Sequence, residues 1–125
     1  MDTQRIYNLA EKLLGMPQTI QEGQVALMKL NETILNLNEE ISVIESKIKS
    51  EIASEVDENN KKVYPNSESR DAAFVERSSN NETLIYKRGY LGELQGIGNV
   101  QRFEIERLQN EQRNIRSILD FFKSI

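Results

Sequence analysis

Basic side chains recur at seven-residue spacing near the end of the chain: Arg88, Arg102, Arg116 and Lys123 share one helical column with Gln95 and Gln109, and Arg113 lies beside Arg102 and Arg116. No acid occupies the column. Such a rail can hold phosphates or an acidic partner. It can also pair with Glu45 and the polar flank of another helix, which is the favoured reading because Glu104, Glu106 and Glu111 interleave on neighbouring faces. A second constellation is aromatic. Tyr64, Phe74, Tyr86 and Tyr90 gather near Lys61, Lys62, Lys87 and Arg88. Rings beside cations are the ingredients of single-strand binding by stacking. They equally serve a small helical cap that closes the end of a hairpin, and the cap is favoured.

Catalytic chemistry finds little support. The chain has no His, Cys or Trp, so the usual general base, thiolate sites and disulfides are excluded. Acids are plentiful, but no Glu-x-x-His, Gly-x-Ser-x-Gly or Gly-x-x-x-x-Gly-Lys pattern occurs. The glycine-rich stretch Gly89–Gly98 follows no strand and lacks a Lys-Ser or Lys-Thr pair. No enzyme activity, cofactor or metal is expected. Asn31-Glu32-Thr33 and Asn81-Glu82-Thr83 match glycosylation triplets, which carry no meaning without a secretory route.

Composition points to helices that bury a narrow stripe. The 125 residues suit one domain, and 38% apolar with 6% aromatic is thin for a compact globule. A net charge of −4 argues against whole-surface nucleic-acid binding, though not against a local basic strip. Neither a secretion signal nor a membrane span is legible, so a soluble cytoplasmic protein is expected.

The elements that must position these side chains follow from an aliphatic rhythm. Ile20, Leu27, Ile34, Ile41 and Ile48 occupy heptad position a, and Leu30, Leu37 and Ile44 occupy d, with Gly23 as the gap. Four heptads of this kind make a coiled-coil seam that needs a partner helix. The main helix is expected over 18–56. An N-terminal helix over 2–14, capped by Asp2 or Thr3, keeps Ile6, Leu9, Leu13 and Met16 in the same phase. Gly15-Met16-Pro17 should kink or break the chain between them.

Residues 57–81 read as a tip, with a turn through Pro65 and a short helix over 67–77 capped by Asn66 or Ser67. Ser78-Ser79-Asn80-Asn81 is a second weak point, and Asn80 or Asn81 caps a last helix over 82–124. Its a positions are Leu84, Leu91, Gly98, Ile105, Gln112 and Leu119. Its d positions are Lys87, Leu94, Gln101, Leu108, Ile115 and Phe122. This seam leaks at Gly98, Gln101 and Gln112, and Tyr90, Ile97, Ile118 and Ile125 at position g widen its apolar face. Gly89, Gly92, Gly96 and Gly98 mark either a tight crossing or a flexible joint.

A 40-residue helix is about 60 Å long, so the linker cannot carry the chain back to its start. The last helix must return alongside the first. The fold expected is therefore an all-α antiparallel helical hairpin with a short helical tip and an N-terminal helix. Ile at a and Leu at d favour parallel dimers, and the leaky return helix leaves the first ridge under-paired. A homo-oligomer is therefore expected, with Ile20, Leu27, Leu30, Ile34, Leu37, Ile41, Ile44 and Ile48 as its self-association seam.

The run Val63-Tyr64-Pro65-Asn66-Ser67-Glu68-Ser69-Arg70-Asp71-Ala72-Ala73 resembles the tip of small coiled-coil proteins of bacteriophages and prophages. Ile105-Glu106-Arg107-Leu108, Asn110-Glu111 and Arg113 are similar to their final helix. The resemblance covers the second half of the chain at most. It implies a non-catalytic accessory of phage DNA replication or recombination, in the host cytoplasm, contacting single-stranded DNA or an annealing protein. Arg88, Arg102, Arg113, Arg116 and Lys87 would supply charge, and Tyr86 and Tyr90 would supply rings. The alternative is a protein-only adaptor or inhibitor that binds a host or phage protein. Prefoldin subunits are similar in length and helix–tip–helix order, but the middle here lacks clear alternating strands.

Overall fold

The computed structural model describes residues 2–125, and among them the chain is all-α with a long antiparallel helix pair. Helix α1 spans Thr3–Ser54, α2 spans Ser67–Ser79 and α3 spans Glu82–Lys123. Residue contacts divide the chain into two units, Met1–Glu32 with Gly96–Ile125, and Thr33–Gln95.

In the first unit the opening turns of α1 pack against the closing turns of α3. Met16, Ile20, Ile105 and Ile115 form its core, with Leu9, Leu13, Leu27, Leu108 and Leu119 packed around them. Lys12 pairs with Glu111, and Gln101 reaches Gly23, so residue numbers rise in one helix as they fall in the other.

The second unit joins the end of α1, the tip, α2 and the start of α3. Leu37, Ile41, Ile48, Ile52, Ala73, Leu84 and Leu94 are its buried apolar residues. Ile52 and Leu84 are the most enclosed, at 1% and 0% exposure.

The expected break at Gly15-Met16-Pro17 does not occur, and α1 runs through Pro17. A proline inside a helix costs about 3 kcal/mol, since it removes one amide donor and crowds the preceding turn. Met16 and Ile20 are both buried beside it. Burying two such side chains contributes about 1.5–3 kcal/mol each, enough to outweigh the proline. The Thr19 hydroxyl also donates to the Gly15 carbonyl at 3.2 Å. The N-cap is Asp2, whose Oδ1 accepts from the Arg5 amide at 2.8 Å.

Helix α1 stops at Ser54, two residues short of the expected end. Val56 instead forms an isolated antiparallel bridge with Lys62. Between them the Asp57 carboxylate accepts the amides of Asn59 and Lys61 at 2.9 and 3.0 Å. Asn60 takes a left-handed φ of 62°, which asparagine tolerates better than most residues.

The ridge from Ile20 to Ile48 is buried or half-buried along its whole length. What covers it is α3 of the same chain, whose expected a and d positions are likewise all buried or half-buried. The assigned self-association seam is thus occupied within the hairpin. The gaps match: Gly23 lies under Gln101 and Ile105, and Gly98 lies under Leu30. The expected under-pairing disappears because each missing side chain faces a long one. The g-column residues Tyr90, Ile97, Ile118 and Ile125 stay exposed rather than widening the core.

Candidate binding surfaces

The tip is built from one half of the aromatic set. Asn66 caps α2, accepting the Ser69 amide at 2.8 Å while the Ser69 hydroxyl faces back to it. This fixes α2 so that Arg70 donates to the Tyr64 carbonyl at 3.3 Å. One turn and more later, Arg77 bonds the Glu55 carboxylate and reaches the Tyr64 hydroxyl at 3.4 Å. The Glu55 bond, helped by Tyr64, raises the Arg77 pKa above its ordinary value. Lys49 lies 4.9 Å from the centre of the Phe74 ring. Tyr64 and Phe74 therefore hold the tip to the end of α1, with Arg77 and Lys49 against their rings.

Tyr86 and Tyr90 do something else. One turn apart on α3, their rings stack with centroids 6.3 Å apart and planes 15° from parallel. Tyr86 is 72% exposed. Ile85 precedes it and is exposed, and Gly89, between the two tyrosines, leaves open space. The expected gathering of four rings is thus two separate pairs, one structural and one outward-facing.

The cations that follow Tyr86 in sequence are already engaged. Lys87 donates to Glu40 at 2.7 Å, and Arg88 donates to Glu45 at 2.9 Å. The second of these is the pairing that the sequence favoured for the basic column. The second unit holds twelve acids and eight bases, whereas the first holds eight of each, so the net −4 resides with the tyrosines.

Arg102 bonds Asn99 at 3.0 Å and Asn31 at 3.4 Å, bridging the two helices of the first unit. Arg113 and Arg116 are exposed and have no acidic partner among the described residues. The first unit also holds a continuous ionic network. Lys12 meets Glu111, Glu111 meets Arg107 at 3.3 Å, and Arg107 meets Glu104 at 2.7 Å. These bonds hold the Glu111 carboxyl, through Lys12 first, and the Glu104 carboxyl, through Arg107, below the usual glutamate value.

One surface escaped the reading of the sequence. Tyr7, Leu14 and Met28 are exposed on the part of α1 in the first unit and share heptad position b, one column away from the seam. Their seven-residue spacing was the available signal, obscured by Gln21 in the middle of the column. Among the described residues, no His, Cys, Asp or Glu side chains group together as a metal site. No helix there is long and apolar enough to cross a membrane. No protein-family model, curated protein or solved structure matches the chain.

Proposed function

We propose that the chain is a non-enzymatic adaptor that binds a protein, with the Tyr86–Tyr90 face of α3 as its main contact. One observation carries this reading. The cation on the flank of the exposed tyrosines, Lys87, is neutralised by Glu40, on a unit of net negative charge. Single-strand binding needs rings and free positive charge in the same groove. Rings without free charge suit a protein surface, where tyrosine supplies much contact area at small entropic cost. The likeness of the tip and closing stretch to small phage coiled-coil proteins supports a partner from DNA replication or recombination, such as an annealing protein.

The test is photo-crosslinking from position 85 in cells that naturally make the chain, followed by identification and purification of the captured protein. Direct binding of that protein should weaken on replacing both Tyr86 and Tyr90 with Ser. Unchanged binding would remove the reading. Tight binding of an oligothymidylate that falls steeply with salt and requires Tyr86 would transfer the face to nucleic acid.

A further inference from the structure

The two flanks of the hairpin in the first unit differ chemically. Across the g flank Lys12 meets Glu111, and the network on to Arg107 and Glu104 leaves these charges answered. Across the e flank Arg102 of α3 meets Asn31 of α1, which fixes those columns as neighbours. Arg116 continues the e column and Arg113 the adjacent b column, both without an acidic partner among the described residues.

The register set by Lys12–Glu111 and Gly23–Gln101 brings these arginines level with the turns of α1 between Tyr7 and Leu14. There Tyr7 and Leu14 form an apolar ridge, Leu14 being 83% exposed. Between ridge and arginines the e column of α1 holds only the short side chains of Ala10 and Pro17. Three acids lie near. Glu106 and Asp120 flank Arg113 along its column, and Glu11 accepts the Tyr7 hydroxyl at 2.9 Å.

We infer that this flank is a docking groove for an amphipathic helix with an acidic edge, supplied by a partner protein. Its aliphatic side packs on Tyr7 and Leu14 above Ala10 and Pro17, and its carboxylates meet Arg113 and Arg116. The ridge selects an aliphatic helix face, as helix-in-groove recognition does. The arginine wall selects the sign of the neighbouring charges and offers two-pronged bonds to carboxylates. A second copy stacked with α3 on α3 would set arginine against arginine, which disfavours that self-pairing. The surface is distinct from the tyrosine face and shares with the proposed function only that the ligand is a protein.

The full chain is used to select from three-heptad helical peptides displayed on yeast, with Leu on one face and flanks randomised over Glu, Lys, Gln and Ser. Peptides with Glu on one edge should be enriched. The double variant Arg113→Glu with Arg116→Glu should bind them at least about tenfold more weakly, a difference of about 1.4 kcal/mol. Leu14→Ser should weaken them too, and added salt should act mainly on the wild type. Circular dichroism confirms that the variants remain helical. Enrichment of Lys-edged peptides, no enrichment, or equal binding by the charge-reversed variant overturns the inference. So does tighter, arginine-dependent binding of an oligothymidylate or of phosphatidylserine vesicles. If the groove fails while a Tyr86-dependent partner is still captured, only this inference falls. Peptide binding that survives Tyr86→Ser marks the two surfaces as independent.

Discussion

The Gln101 side chain donates to the Gly23 carbonyl at 3.2 Å, across the interface between α1 and α3. A polar residue at a d position of α3 faces the glycine in the ridge of α1, and the amide occupies the space while meeting a backbone acceptor. A Cβ on Gly23 would lie 3.3 Å from both Gln101 Nε2 and Ile105 Cγ1. Gly23→Leu should therefore cost about 1–3 kcal/mol through overpacking. Urea unfolding checks this, and a variant as stable as the wild type would show that the gap is not filled.

The outward glycines should behave in the opposite way. Nothing lies within 4 Å of a Cβ built on Gly89, Gly92 or Gly96. Alanine at each should add about 1 kcal/mol by helix propensity alone. A destabilising Gly92→Ala would mean that the helix there is not free of neighbours.

Leu84 and Ile52 are the most enclosed large side chains. Truncating either to alanine should cost about 2–5 kcal/mol, whereas Ile85→Ala, one residue along and exposed, should cost far less. Comparable losses for Leu84 and Ile85 would contradict the burial pattern.

At the tip, Asn60 holds a left-handed backbone. A β-branched residue pays steric strain there, so Asn60→Val should lose about 1–2 kcal/mol while Asn60→Gly stays near neutral. Thermal melts of the two variants separate strain from any loss of side-chain bonding.

Acid should weaken the first unit. Glu104 and Glu111 have folded-state pKa values below the ordinary glutamate value of about 4.3. The unfolded chain therefore binds protons first as pH falls. Their stabilisation is complete above about 4.3 and is lost as pH drops through the lower folded values. Glu104 is exposed and Glu111 half-buried, so added salt should shrink the effect, more at Glu104. Glu111→Gln should flatten part of the acid side of the stability curve, and an unchanged curve would show the network to be idle.

How far the sequence reached depends on which physical term ruled each position. Heptad phase was decisive for the helix pair. Ile20 through Ile48 and Leu84 through Phe122 meet as their spacing implied, because burial of an aliphatic stripe dominates long helices. Pairing of Arg88 with Glu45 was legible for the same reason, since flank columns follow once the seam is known. Pro17 departs from the local rule because tertiary burial of Met16 and Ile20 holds the helix through it, and a local pattern does not carry that contact. The bridge from Val56 to Lys62 rests on one asparagine conformation and a few loop bonds, which leave no periodic trace. Division of the four aromatics into an inward and an outward pair depended on where α2 folds back, which composition does not record.

The junction of α2 and α3 gives the tip a particular mechanical character. The Asn80 amide closes the end of α2 onto Arg77 and Ser78, and its side chain reaches the Glu76 carbonyl at 2.9 Å. Its neighbour Asn81 accepts the Leu84 amide at 2.9 Å and so starts α3. Two adjacent residues thus lock two helix ends back to back, with no glycine swivel between them. Hydrogen exchange across this corner should be cooperative, α2 opening together with the first turn of α3 rather than fraying alone.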